Sequence, residues 1–460
     1  MKIKEQAKQQ LKHNIRFQAL QVLYQIEYEG EYSNVLINRW LQETTASAQD
    51  QGLFVQLVYG TVQHRYTLDY YLSDVIKGKQ IKPWVKSLLR MSIYQLVYLD
   101  RIPQHAVLNE AVTIAKLNGH ATVGNFVNAL LRRFLREPLK AIEAIADPLE
   151  RLRVQYSVEP DLVKLLQATY GTATTEQLLA SLNTRPRLTG RSNQVEREAL
   201  LQELTEQGYR VQVGTLSPAA IESLDGQLVH TPAFQSGQLT VQDEASMLVA
   251  PLGRLKAGMN VLDACSAPGG KATHIAALLG AGYLTALDLS EKKLTKVQEH
   301  MVRLGLTGNK QLNLTFQACD ARQFQPADQQ QYDVIYLDAP CSGLGLMRRK
   351  PEIKYTKTLA DIEALVAIQQ ELLAHCATLL KDGGTLVYST CTIAPQENAA
   401  QVTRFLAQQP AFELDPIQVE EVGVGDILTE EGMVQILPHQ HQTDGFFIAR
   451  LHKKQLRGDV

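Results

Sequence analysis

The chain has 460 residues, with 46 Lys+Arg against 48 Asp+Glu, 45% apolar and 20% charged residues, a composition that excludes disordered, collagen-like and coiled-coil chains. The length is that of a multidomain protein in which each part buries its own core. The near-neutral total hides an offset: residues 1–150 carry 18 Lys+Arg against 14 Asp+Glu, which leaves 28 against 34 in the rest, so the front is the basic part and suits contact with a polyanion or a solvated helical surface.

From residue 14 to about 137 apolar residues recur at three- and four-residue steps, as in Ile15, Ala19, Val22, Leu23, Ile26 and Val85, Leu88, Leu89, Ile93, Leu96, which predicts helices throughout. Glycines and prolines punctuate the run, and Pro138 ends it. In NFVNALLRRFLR the basic Arg132, Arg133 and Arg136 flank a stripe of Phe126, Val127, Leu130, Leu131 and Phe134. They are candidate nucleic-acid contacts, with a solubilising helix face as the equal alternative. Short helices follow, with Pro148 and Pro160 as starts. Leu188–Ser192, Arg210–Val213 and Gln238–Gln242 then read as strands between turns.

Beyond Pro251 strands and helices alternate: Asn260–Ala264, Tyr283–Asp288, Leu314–Ala318, Tyr332–Asp338 and Gly384–Ser389 are short apolar strands, and Gly445–Leu451 is a late one that could pair antiparallel at an edge. The fold class is therefore multidomain: an all-α N-terminal domain (1–140), a small α+β connecting module (141–240) and a C-terminal α/β Rossmann-like domain (241–455). In such a sheet ligands sit at the carboxyl ends of the strands.

VLDACSAPGGKATHIAALL places Cys265, Ser266, Ala267, Pro268, Gly269, Gly270 and Lys271 where a strand turns into a helix, so backbone can approach a ligand closely and helix N–H groups face it. The next strand ends in Asp288, suited to ribose hydroxyls, and the third is followed by Asp320, placed to meet an adenine edge. A small turn and two successive acids describe an adenosine site. Without a pyrophosphate fingerprint, S-adenosylmethionine fits better than NAD.

The fourth strand runs into DAPCSGLGLMRRKPEIKY and the fifth into YSTCT, which sets Asp338, Cys341 and Cys391 at strand ends on the cofactor side. Cys319 and Cys376 read as core residues. A nucleophilic cysteine must ionise, which a neighbouring cation or helix N-terminus favours. Arg348, Arg349 and Lys350 are equally a phosphate contact and a solvated turn. The five cysteines show no C-x-x-C spacing, so no metal site is expected and a reducing cytoplasm fits. Neither the Lys- and Gln-rich Met1–Gln10 nor any long apolar run provides a leader or a membrane span. The expectation is a cytoplasmic monomer without a membrane partner.

CSAPGGK, DAPCSG and STCT, in this order, resemble the RNA cytosine-5 methyltransferases that use S-adenosylmethionine. The family's first motif usually reads CAAPGGK followed by TT, where this chain has Ser266 and Ala272; both changes are small. RIPQHAVLNEA and NFVNALLRRF look like a NusB-type domain, which extends the resemblance over nearly the whole chain and implies a cytosine of 16S ribosomal RNA as substrate. By the resemblance Cys391 is the attacking thiolate and Cys341 assists release. Asp338, counted with both the cofactor and the catalytic groups, meets the ring nitrogen as charge moves there, and Lys271 stabilises the same charge. Two other readings stand: a DNA cytosine-5 methyltransferase with Cys341 as attacker, against which Cys391 speaks, and a ribosome-assembly or antitermination factor that binds RNA without catalysis.

Overall fold

The computed structural model describes residues 11–327 and 330–455; the Lys- and Gln-rich start of the chain and part of the Gln bias around Gln329 lie outside the described residues. The chain divides into two compact units, one running to Asn183 with Met347–Thr356 added, the other made of Thr184–Leu346 and Lys357 onward. Helices of nine or more residues and all strands are labelled in chain order below.

The first unit is helical: α1 (Ile15–Tyr24), α2 (Ser33–Glu43), α3 (Ala48–Gln63), α4 (Arg65–Ile76), α5 (Pro83–Tyr98), α6 (Gln104–Asn118), α7 (Ala121–Arg136), α8 (Pro148–Tyr156) and α9 (Pro160–Leu182). Their starts follow local chemistry. Asn14 caps α1 by accepting from Phe17 N at 3.0 Å, and proline occupies the first turn of α5, α8 and α9, where no intrahelical N–H is lost. Leu57, Leu68, Leu88, Leu89, Ile93 and Ile114 are fully buried between the helices. Gly60 of α3 lies against the Tyr94 ring of α5, and a β-carbon there would overlap it.

Two boundaries differ from the sequence expectation. Helices α8 and α9, assigned above to the connecting module, group with the helical unit: Leu152 and Val154 are buried, and Ser157 Oγ accepts from the N–H groups of Tyr66 and Thr67 at 3.1 Å, both in α4. The segment Met347–Thr356 also belongs to this unit, although it follows a strand of the other. Glu352 accepts from Ser33 N and Oγ at 3.0 and 2.7 Å, and the Tyr355 hydroxyl donates to Val62 O at 2.7 Å. Neither attachment has a local periodic signal.

The second unit holds two sheets. The small one has the order β2 (Val211–Val213), β3 (Ala220–Ser223), β1 (Leu188–Ser192), β4 (Leu239–Val241), with antiparallel pairing, and α10 (Arg197–Glu206) contacts it. Strand β3 was not expected, because AIES shows no β-branched run or alternation. The large sheet runs β10 (Phe412–Leu414), β12 (Phe446–Lys453), β9 (Leu380–Thr390), β8 (Tyr332–Asp338), β5 (Asn260–Asp263), β6 (Gly282–Asp288), β7 (Leu312–Ala318), with β11 (Val434–Ile436) also on β12. Strands β7, β6, β5, β8 and β9 are parallel and β12 is antiparallel to β9. The late strand is thus antiparallel as expected but not at an edge, since β10 and β11 cover its other side. Phe447, Ile448, Ala449 and Leu451 are accordingly fully buried, which explains a run without polar alternation.

Helices α11 (Gly270–Leu279), α12 (Glu291–Arg303), α13 (Leu359–Leu379) and α14 (Ala399–Gln408) connect the strands. Chain order runs outward from β5 to β7 and then resumes at β8 on β5's other flank. In a doubly wound sheet such a switch, here between β5 and β8, is where ligands bind, at the carboxyl ends of the strands. Among the described residues no helix is long and apolar enough to cross a membrane, and no group of three or more His, Cys, Asp or Glu is arranged to hold a metal ion.

Candidate active site

Strand β5 ends in Asp263, and the turn through Cys265–Gly269 leads into α11. Gly269 has φ of +108° and a β-carbon there would lie 3.1 Å from Val297 Cα, so only glycine fits. It caps α11 without a side chain, and the first-turn N–H groups, which have no intrahelical acceptor, are left to meet a ligand. Ser266 is fastened below, its N and Oγ donating to Leu287 O at 2.8 and 2.6 Å. At the end of β6, Asp288 accepts from Ala267 N at 3.2 Å and Ser290 N at 2.9 Å, joining turn and acid into one rim.

Asp320, expected to meet an adenine edge, has a neighbour on its carboxylate. Its carboxylate is already held by Arg322, whose Nη2 lies 2.6 Å away and whose backbone N–H donates at 3.0 Å; the Arg322 hydrogen bond draws Asp320 below the usual carboxylate range.

Asp263 is buried, and its Oδ2 has no hydrogen-bond partner. Burial, with the charge of Asp338 added, pushes its carboxyl up to about 7. An unsatisfied polar atom under a glycine turn, beside helix N–H groups and a strand-end acid, fits a polar ligand such as the amino-acid and ribose parts of an adenosyl sulfonium.

The reactive groups meet one strand over. Lys271 Nζ lies 2.7 Å from Asp338 Oδ2, and Asp338 Oδ1 accepts from Ser389 Oγ of β9 at 2.8 Å. Burial alone would lower the Lys271 ammonium; the charge and hydrogen bond of Asp338 override it, Cys391 and Asp263 add to them, and the ammonium is held above its ordinary value. The Phe446 ring centroid sits 5.0 Å from Nζ. Cys341 Sγ, after β8, and Cys391 Sγ, after β9, are 3.4 Å apart. The hydrogen bond to Cys391, then burial, then the charges of Cys391, Glu397 and Asp338 push the Cys341 thiol well up. Two sulfurs this close cannot both ionise readily.

Cys265, Cys319 and Cys376 take no part in this pair. Cys376 is buried in the core of α13, and burial pushes its thiol up to about 12. Burial also raises the thiols of Cys265 and Cys319. The expected basic residues lie in the helical unit. Arg132 and Arg136 of α7 are exposed, and Arg133 pairs with Glu137 at 2.7 Å. Of the turn after Cys341, Arg348 is 5% exposed and its Nε donates to Ser181 O at 3.0 Å, so it is a packed residue of that unit and not a free phosphate contact. Sequence reasoning missed Glu397, Gln369 and Asn398, all buried around the two cysteine turns.

A parallel sheet extended by an antiparallel strand, with a glycine turn and acids at the strand ends, is the frame of a methyltransferase, and the comparisons with known proteins agree. Residues 252–452 match the family model described as 16S rRNA methyltransferase RsmB/F, residues 13–136 the NusB family, and residues 161–228 the RsmF/B-like ferredoxin-like domain. The chain is 41% identical over 96% of its length, and 99% of the relative's, to the probable ribosomal RNA small subunit methyltransferase B of Bacillus subtilis. It is 36% identical, over 95% and 98%, to the protein of the same name from Synechocystis. The solved structure of PH0851 superposes with a TM-score of 0.79 at 25% identity, covering 95% of this chain and 98% of that one. The chain belongs to the RsmB/F family of ribosomal RNA methyltransferases, in the branch of small subunit methyltransferase B.

Proposed function

We propose that the chain methylates carbon 5 of a cytosine in small-subunit ribosomal RNA, using S-adenosylmethionine and a covalent adduct on Cys391. The observation that carries this reading is the 3.4 Å Cys341–Cys391 pair beside the Lys271–Asp338 ion pair. The RNA substrate is inferred from the family.

The turn Cys265–Lys271 and Asp288 would hold the cofactor, which supplies an electrophilic methyl group when bound. Carbon 5 of cytosine is a poor nucleophile. Cys391 Sγ adds to carbon 6 and pushes electron density through carbon 5 towards the ring nitrogen, where Asp338 donates or shares a proton and the Lys271 charge stabilises the change. Once Cys391 is bonded to the ring, its thiolate no longer opposes ionisation of Cys341. Cys341, its own proton passed to solvent, then takes the carbon 5 proton after methyl transfer; the electron pair of that carbon–hydrogen bond re-forms the ring double bond, the carbon–sulfur bond breaks with its pair on Cys391, which leaves as a thiolate, and the ring nitrogen returns its proton to Asp338. Two cysteines thus divide one cycle: one attacks and one releases.

The test is a pair of variants incubated with RNA and cofactor and run on denaturing gels. Cys391→Ala should abolish methylation and form no adduct. Cys341→Ala should accumulate an enzyme–RNA adduct. The reverse pattern would overturn the assignment and favour a DNA-type mechanism, and activity at the wild-type level in both variants would overturn covalent catalysis.

A further inference from the structure

Glu397 and Asn398 are fully buried, in the turn that follows Cys391, and no step above uses them. The Glu397 carboxylate has no cationic partner among the described residues. It instead accepts from Ser342 N at 2.8 Å, Ser342 Oγ at 2.5 Å and Gln369 Nε2 at 3.0 Å. Gln369 Nε2 also donates to Pro340 O at 3.0 Å. Both neighbours of Cys341 are therefore fastened, one to Glu397 directly and one through Gln369. Asn398 does the same for the other sulfur: its Nδ2 donates to Thr392 O at 3.0 Å, and its Oδ1 accepts from Thr390 Oγ1 at 2.6 Å. Ser342 Oγ and Thr392 Oγ1, 2.7 Å apart, tie the two turns together, and Tyr388 OH donates to Glu397 O at 2.7 Å.

Burying a carboxylate without a cation is costly, and donors must offset it. Here all the donors belong to the Cys341 turn or to the glutamine that holds it. A neutral residue would pack the same space with less desolvation; what the carboxylate adds is its grip on the Cys341 turn. We infer that Glu397 and Asn398 are positioning residues that clamp the Cys341 and Cys391 turns together, and that Glu397 governs the release step by holding Cys341 against the adduct. The inference concerning release rests on the proposed roles of the two cysteines; the clamp itself does not.

The test uses the full-length protein and four variants, Glu397→Ala, Glu397→Gln, Asn398→Ala and Cys341→Ala, with RNA and cofactor under single-turnover conditions. Glu397→Ala should slow product release at least about tenfold and accumulate the covalent adduct as Cys341→Ala does, with kcat reduced and KM for RNA and cofactor affinity within about twofold of wild type. Glu397→Gln keeps an acceptor for Ser342 N and should recover much of the release rate. Its pH profile for release should move to lower pH, because the negative charge opposing ionisation of Cys341 is gone. Asn398→Ala should slow adduct formation rather than release. Release at the wild-type rate in Glu397→Ala, or a loss that merely follows a fall in folded fraction, overturns the release role. If Cys341→Ala traps nothing, the cysteine assignment fails by itself. The clamp is then judged by crystal structures of Glu397→Ala and Asn398→Ala: a sulfur–sulfur separation longer by roughly 1 Å or more supports it, and an unchanged separation overturns it.

Discussion

Asp288 is a frame residue of the proposed cofactor site. It accepts from Ala267 N and Ser290 N, yet each oxygen retains a lone pair for a ribose hydroxyl. Charge-assisted hydrogen bonds contribute roughly 1.5–3 kcal/mol each, so Asp288→Ala should weaken S-adenosylmethionine binding by about tenfold to a hundredfold. Asp288→Asn should weaken it less. Calorimetric titration of both variants, with melting curves to show an intact fold, checks this; an unchanged affinity for Asp288→Ala would remove it from the cofactor site. Asp288 was legible because strand-end acids in a doubly wound sheet have a fixed place. Asp320 satisfied the same rule, and its engagement by Arg322 was invisible because a guanidinium two residues away has no fixed direction in sequence.

At the scale of elements, Lys354 makes Met347–Thr356 part of the helical unit. It is fully buried, and its Nζ donates to Gln63 O at 2.8 Å and Tyr156 O at 3.0 Å. Burial pushes the ammonium down to about 7. The unfolded chain then binds more protons than the folded one between about pH 7 and the ordinary lysine value of 10.5, so the penalty is full below pH 7 and is relieved as pH rises through that window. Replacing the charge by an apolar chain of similar length removes the penalty and leaves two carbonyls without a donor. Lys354→Met should therefore compare more favourably with wild type at pH 7 than at pH 9.5. The thermal midpoint of Lys354→Met minus that of wild type should fall from pH 7 to pH 9.5; a difference independent of pH would show that Lys354 keeps its proton in the folded state across that range.

For the whole molecule, we propose that the basic helix α7, a candidate nucleic-acid contact, holds RNA while the strand ends do the chemistry. Arg132 and Arg136 are exposed and Arg133 pairs with a neighbouring surface glutamate, so all three can meet phosphates at little desolvation cost. Replacing all three by alanine in the full chain should lower RNA affinity and make its dependence on log salt shallower by about 0.7 for each phosphate no longer neutralised. Cofactor affinity should not change. Equal RNA affinity and equal salt slope would reduce α7 to a structural or protein-binding face. Deleting residues 1–140 is not an equivalent experiment, because Glu352 and Lys354 would lose Ser33 and Gln63.

What the sequence alone determined is whatever rests on local rules: the helical front from three- and four-residue periodicity, the parallel strands from short apolar runs, and the placing of small residues, acids and cysteines at strand ends. What only the tertiary structure decided is whatever depends on distance in space. Cys341 and Cys391 are fifty residues apart, and nothing in either segment states that parallel pairing of β8 with β9 brings their sulfurs to 3.4 Å. The attachment of Met347–Thr356 to helices far away in sequence and the clamp around Glu397 have the same origin. Buried polar groups take whichever partners the packed chain presents, and a one-dimensional pattern records residue types but not those partners.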